Sequence, residues 1–432
     1  MSAGYAITTY KIQLNYKHLD WFKQTQSLFD AVLSFYYKLL EKQPEALSLS
    51  NQNLLRHLEL QTIKQRDGTP PETPLPFEKI PLYFRRAAIN AAISMYRSYM
   101  GKLKVWQEGP IKSGKPSPPK RLHMSMLYYK GMYKDFDEKS ILLKLYTGKT
   151  WAWVKHRYTG RPFPENAELM SPTIVVKKKK VMLHIPVKEI VEDSRTAKER
   201  VQQNEKFVAV ALAGSDSLAV CTTIEADGRA TAPYFIKGGK ELAHRRKLLL
   251  GYTKRGIAGN NTPRFMTHTI GNAALSVPQE QRPNKKYYDK ITRLTDHYAH
   301  EVSRKIINYA LKQGAKLIVL PELKESFDQA KKPYLGKTPY DFIGRRIARY
   351  VQYKAWQQGL VAMTSKPYYA STRCYHCDAP IARHNTEYQN PSANFYGGKN
   401  FVCKEGHRGS TALNSARNLG KGFYERFYAG AA

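Results

Sequence analysis

The sequence predicts a multidomain α+β protein, and three patterns predict it. Apolar residues recur at helical spacing over residues 19–58 and 80–106, short alternating segments occupy 121–191, and from residue 206 strand-like and helix-like stretches take turns. The expected architecture is therefore a strand with a helical block, a small β-barrel, and an α/β core that ends in a cysteine cluster. The chain has 432 residues, 42% of them hydrophobic and 12% aromatic. That is enough apolar material for a real core, and it excludes a disordered basic tail.

Each element follows from local pattern. Residues 5–14 alternate as a strand, and the helical run from residue 19 carries Phe22, Leu28, Phe29, Val32, Leu33, Phe35, Tyr36, Leu39 and Leu40. A Pro-rich stretch at 69–76 interrupts it before the second helical run, which carries Tyr83, Ala87, Ala91, Ala92, Met95 and Tyr99. Residues 101–130 set seven bases against Glu108 among Gly and Pro, the composition of a mobile linker. The segments 123–129, 140–146, 150–156, 172–176 and 181–185 form the expected barrel. Its last turn is Lys177, Lys178, Lys179 and Lys180, either a solvated turn or a phosphate contact. Nearby, Trp151, Trp153, Lys155, His156, Arg157 and Tyr158 interleave aromatic and basic residues, a mixture suited to phosphates and stacked nucleotides.

The second half opens with an apolar hairpin at 206–224. A basic segment follows at 240–264, carrying Lys240, Arg245, Arg246, Lys247, Lys254, Arg255 and Arg264 against Glu241. After a loop rich in Pro, Gln and Asn, a helix from about 285 to 313 ends at Gly314 and leads into the apolar strand KLIVLPEL. A further helix at about 340–358 ends at Gly359 before a strand at 360–365.

Charge narrows the function. Lys and Arg number 70 and Asp and Glu 35, a formal balance of +35. Such self-repulsion destabilises a compact fold unless a polyanion neutralises it, so a nucleic acid is the expected partner. A membrane partner is not expected, because no run of about 18 apolar residues spans a bilayer. The first residues lack a basic segment leading into an apolar core, so an intracellular, cytoplasmic protein is expected.

Of four cysteines, three cluster: Cys374 and Cys377, then 25 intervening residues, then Cys403 with His407 four residues on. This is the outline of a zinc ribbon, whose two knuckles must converge on one tetrahedral ion at about 2.0–2.3 Å. Gly406 stands where a second cysteine of the second knuckle would fall, leaving His407 as the expected fourth ligand and His376 and His384 as alternatives. The ion would be structural, since no carboxylate follows His407 in an H-x-E arrangement.

The stretches LIVLPEL at 317–323, PYYASTRCYHC at 367–377 and NSARNL at 414–419, with the hairpin before them, resemble the TnpB-type transposon-encoded RNA-guided nucleases and the compact type V CRISPR effectors. The resemblance implies a wedge-type β-barrel (121–205) with an inserted helical recognition domain (15–120), its first strand at 1–14. It also implies a RuvC-like RNase H-fold core (206–370 and 410–432) with an inserted zinc ribbon (371–409). Further implied are guide RNA and double-stranded target DNA as partners, a flanking DNA motif read by the helical block and barrel, transposition or regulatory proteins, and a nucleoid location in a prokaryote. The basic helix near His244 would lie along the heteroduplex.

The family cuts DNA with two metal ions held by three carboxylates. Their positions fall here on Leu212, Pro321 and Ala412. The expectation is therefore a protein that is not an enzyme: a guided DNA-binding protein without catalytic Mg²⁺, which blocks transcription or marks a site for partners. Two alternatives stay open. One is an active nuclease with displaced acids, Asp216, Glu322 and Asp341 or Asp378. The other is an RNA-independent DNA-binding regulator.

Overall fold

The computed structural model describes residues 4–64, 68–109, 114–137, 139–160, 162–177, 179–212, 216–259, 284–323, 339–367, 369–384 and 398–428. They divide into two compact units, 7–190 and 1–6 with 191–432.

The N-terminal unit combines β1 (Tyr5–Asn15), α1 (Leu19–Lys42), α2 (Asn51–Thr62) and α3 (Leu82–Glu108) with β2 (Met126–Leu127), β3 (Tyr133–Lys134), β4 (Ser140–Tyr146), β5 (Trp151–Thr159), β6 (Glu168–Leu169), β7 (Thr173–Lys177) and β8 (Lys180–Ile190). The strands curl into one sheet in the order β2-β7-β8-β1-β5-β4-β3, with β6 on β8. Period-2 alternation turns Ile12, Leu14, Ile141, Leu143, Leu183 and Ile185 inward, where they share one core with Phe22, Phe29, Leu33 and Tyr36 of α1. Helices and barrel are thus one packed body. The helical spacing over 19–58 is broken where Pro44, which lacks an N–H to continue the ladder, starts a 3₁₀ turn over Pro44–Ser48. The expected linker at 101–130 begins as helix, since α3 runs to Glu108. Glu59 ties α2 to α3, its nearly buried carboxylate held by Arg85 and Arg86 at 2.9 Å each.

The C-terminal unit begins with α4 (Ala197–Gln202), closed by a Thr196/Glu199 capping box. Then come β9 (Phe207–Ala211), β10 (Ser217–Ile224), β11 (Ala230–Lys237), α5 (Gly239–Gly259), α6 (Lys285–Lys312), β12 (Leu317–Pro321), α7 (Pro339–Gln357), β13 (Val361–Ser365), β14 (Ile381–His384), β15 (Asn400–Cys403), β16 (Arg408–Ser410) and α8 (Thr411–Phe427). The central sheet has the order β11-β10-β9-β12-β13, with β9, β12 and β13 parallel and β10 reversed. Residues of α6 and α7 cover one face, and Leu419 and Phe423 of α8 pack on Phe207, Ala209 and Ile224 of the other. Gly314 (φ 65°) and Gly359 (φ 66°) adopt the left-handed turn that ends α6 and α7 and feeds β12 and β13.

Among the strands of the central sheet, β11 is the one absent from the sequence expectation. It is an edge strand containing Pro233, so it neither alternates cleanly nor reads as an apolar run. The segment before β9 holds a wholly buried Arg200, which faces Asp193 at 3.1 Å and Glu205 at 3.6 Å and donates to the Gly359 carbonyl at 3.0 Å. Two carboxylates for one buried guanidinium is the neutralisation that burial demands.

Candidate nucleic-acid interface and metal centre

β5 carries the clearest surface. Its odd positions Trp153, Lys155, Arg157 and Thr159 are exposed, while His156 and Tyr158 are buried. Antiparallel register sets Lys144 of β4 opposite Trp153, and Asn15 of β1 opposite Arg157. Lys134 of β3 stands 4.8 Å and Lys144 5.8 Å from the indole centroid of Trp153. Further across the sheet, Lys177 and Lys180 face each other at the β7–β8 turn, whose Lys179 carbonyl accepts from the Tyr16 hydroxyl at 2.5 Å. Lys178 lies outside the described residues.

Three of the aromatic and basic residues expected in this surface take other roles, Tyr158 being buried in the core of the N-terminal unit. Trp151 packs edge-on against Phe84 of α3 at 5.0 Å, so it serves the core. His156 is buried beside Phe22 (5.1 Å), and that burial pushes its imidazole down to about 4. Lys134 and Lys144 were missed in the sequence, because only strand register carries them to Trp153.

On α5 the bases are partly spoken for. Lys240 pairs with Asp216 at 3.4 Å and Arg245 with Glu241 at 2.7 Å, while Arg246 is half-buried and Lys247 exposed. The side chains of Lys254 and Arg255, and Arg264 altogether, lie outside the described residues.

The cysteine knuckles converge. The Sγ atoms of Cys374, Cys377 and Cys403 and a ring nitrogen of His407 all lie within 4.8 Å of one another. Cys377 and Cys403 are 3.7 Å apart, and Cys403 stands 3.4 Å from His407 Nδ1. Bonds of about 2.3 Å to sulfur and 2.0–2.1 Å to nitrogen at tetrahedral angles span about these separations, so the donors fit Zn²⁺. Gly406 (φ 81°) makes the left-handed turn that brings His407 back, donating its N–H to the Cys403 carbonyl at 3.0 Å. Burial opposes ionisation of Cys403, but hydrogen bonds with His407 and Cys377 outweigh it and lower the thiol to about 7. His376 stacks on the His407 ring at 5.0 Å, and His384 lies on β14; neither joins the four. α8 holds the first knuckle: Asn414 Oδ1 accepts from the Tyr375 N–H at 2.9 Å, and its amide donates to the Arg373 carbonyl at 2.7 Å.

The carboxyl ends of β9 and β12 lie side by side in parallel register. Leu212 follows β9 and Pro321 ends β12. A β-carbon on Gly344 of α7 would stand 3.6 Å from Leu212 Cδ1 and 3.3 Å from Leu323 Cδ1, so this end is apolar on the α7 side. Asp216, just before reversed β10, and Glu322, whose N–H donates to the Ser365 carbonyl at 2.8 Å, stand at the same end and are exposed. Asp378 pairs with Lys421 at 2.8 Å; the side chain of Asp341 is outside the described residues.

A family model described as the Aq_aa04 family matches residues 6–147. The CRISPR-associated endodeoxyribonuclease Cas12f1 of Sulfoacidibacillus thermotolerans is 28% identical over 139 residues, 32% of this chain. That stretch is 29% of the relative, so the alignment spans less than a third of its length. Among solved structures, a Cas12f1–sgRNA–target DNA complex aligns with a TM-score of 0.54 at 13% identity, covering 93% of this chain and 81% of the other. The mini RNA-guided endonuclease Cas_phi3 gives 0.55 at 10% identity, covering 96% and 93%. What these likenesses show is the fold, α+β with a curled sheet, shared with the solved Cas12f1 and Cas_phi3 structures.

These matches overturn one expectation, that the protein is not an enzyme. The curated relative, matched over 139 residues, is named an endodeoxyribonuclease. The expectation rested on the non-acidic residues at Leu212, Pro321 and Ala412; of the displaced acids weighed beside it, Asp216 and Glu322 both stand at that end of the sheet. Among the described residues no helix is long and apolar enough to cross a membrane.

Proposed function

We propose that the chain is an RNA-guided DNA-binding effector of the Cas12 kind. It carries a guide RNA on its basic surfaces, meets duplex DNA beside a short flanking motif, and holds the guide–target heteroduplex. Base pairing reads the sequence while the protein reads shape and charge. The observation that carries this reading is the curled sheet's basic surface: Lys134 and Lys144 stand at Trp153, Lys155 and Arg157 are exposed along the same strand, and Lys177 and Lys180 face each other at the β7–β8 turn further across the sheet. In this reading the N-terminal unit is the recognition and wedge part, and the five-stranded sheet with its helices is the RuvC-like core. Residues 371–409 are a ribbon that Zn²⁺ cross-links through Cys374, Cys377, Cys403 and His407. Four protein donors close the ion's shell, so its chemistry is structural.

The test is copurification. Protein isolated from its host should carry RNA of defined sequence, and RNase should abolish its shift of matched duplex DNA. A DNA shift insensitive to RNase would overturn the guided reading in favour of a plain DNA-binding regulator.

Strand cutting is a second reading, favoured by the endodeoxyribonuclease relative and by the shared position of Asp216 and Glu322. Among the described residues these two acids gather no third ligand, so they do not by themselves make a two-ion site, and no step is derived through one. Cleavage of a matched plasmid in Mg²⁺ or Mn²⁺, lost on Glu322→Ala, would establish it.

A further inference from the structure

We infer that the exposed face of β5 is a site for unpaired nucleotides, with one base stacked on Trp153 and the neighbouring phosphates on Lys144 and Lys134 at one side and Lys155 and Arg157 at the other. This deepens the proposed function and rests on it for the source of the strand.

Three observations carry it. First, alternate residues of a strand advance by about 6.8 Å, close to the step between neighbouring phosphates of an extended chain, so Trp153, Lys155 and Arg157 form a ladder at nucleotide spacing. Second, Trp153 is 36% exposed, whereas the other large aromatics on β4 and β5 are half-buried (Tyr146, Trp151) or buried (Tyr158). Two ammonium groups hold the indole from β3 and β4. An aromatic face held upright among cations offers stacking that a paired base inside a duplex cannot reach. Third, the ladder runs into a groove of about 880 Å³ lined by Asn15, Lys139, Lys155, Arg157, Thr159 and Pro162. Among the described residues its one lining acid is Asp137, which accepts from the N–H groups of Lys139 (2.8 Å) and Ser140 (2.6 Å) and from Ser140 Oγ (2.8 Å). The described lining therefore sets Lys139, Lys155 and Arg157 against Asp137 and offers cationic donors to a strand leaving Trp153.

Base–aromatic stacking and phosphate contact predict different signatures. The experiment uses the full-length protein freed of nucleic acid at high salt, and fluorescence anisotropy with labelled ten-residue oligo(U), ten-residue oligo(dT) and a ten-base-pair RNA duplex. Trp153→Ala should weaken both single strands about five- to hundredfold and leave the duplex within twofold, with Trp153→Phe intermediate. Lys155→Ala with Arg157→Ala should weaken all three probes and lower the salt slope by about one to two. Preference of the site for oligo(U) over oligo(dT) would mark RNA as the natural source, and the reverse or equality would mark either strand as acceptable; each supports the site. Equal loss of duplex and single strands on Trp153→Ala, or no loss in either, would overturn it. Because Trp153 is exposed, an unchanged melting temperature separates a binding defect from misfolding. Absence of copurifying RNA would sink the guided function while leaving the oligonucleotide result to stand or fall alone.

Discussion

The C-terminal unit gathers side chains in two places, and it does so in opposite ways. At the cysteine knuckles, four donors meet within 4.8 Å because two local turns aim them, one through Gly406 and one through the 374–377 loop. At the carboxyl end of the central sheet, two parallel strands bring Leu212 and Pro321 toward one region, with two exposed acids beside them and no gathered cluster among the described residues. The first site is a property of short segments and the second of the whole topology. A metal centre built from local turns therefore survives as a readable motif. One built from converging strand ends can lose or relocate its acids with no change in the fold.

The largest effect should come from breaking the first site. Cys403→Ser, or a strong chelator on the wild type, should lower the melting temperature of the C-terminal unit on the order of 10 °C and expose 371–409 to protease. An unchanged melting temperature with chelator would show that no ion contributes.

Acid separates a metal effect from a packing effect. His156, buried in the N-terminal unit, has a folded pKa near 4 against about 6.5 when exposed. Below 6.5 the unfolded chain takes up a proton that the folded chain refuses until about 4. Stability is therefore full above 6.5 and falls by about 3 kcal/mol as pH drops to 4. His156→Leu should flatten that loss in urea melts while leaving the chelator response intact; a loss that persisted would place the acid sensitivity elsewhere.

A smaller effect should come from the joint between the two regions. Asn414 is 3% exposed and bonds both the Tyr375 N–H and the Arg373 carbonyl, and Asn418 donates to the same carbonyl at 2.7 Å, so two amides of α8 pin the first knuckle. Asn414→Ala leaves the Tyr375 N–H without its acceptor and should cost about 1–3 kcal/mol. Hydrogen exchange should quicken at 373–378 and stay slow in β9 and β12.

How much of this was legible follows the same division. The knuckles were readable because each pair of ligands lies within four residues, and Gly406 told against a fourth cysteine while its positive φ explains why glycine stands there. The helices after residue 19 and the strands of the core followed from periodicity. The edge strand β11 was missed because Pro233 and half-exposure erase its pattern. The lysines at Trp153 were missed because cross-strand register is not written in any one segment. Trp151 and Trp153 look alike in sequence, yet one packs on Phe84 and the other faces outward, a difference set by where α3 crosses.

The smallest effect on stability, and the sharpest on function, belongs to the second site. Asp216 is half exposed and pairs with Lys240, and Glu322 is exposed, so Asp216→Asn with Glu322→Gln should change stability by less than about 0.5 kcal/mol. Binding of matched DNA by the guided complex should also stay within twofold, because neither side chain lies on the basic sheet face. Cleavage is what divides the outcomes. If the acids at this sheet end hold the reaction, plasmid nicking by the wild type in Mn²⁺ should fall at least a hundredfold in the double variant while binding persists. Nicking that survives the double variant would assign the chemistry to acids elsewhere in the chain, and the contrast between a locally built and a topologically built centre would then need a third location.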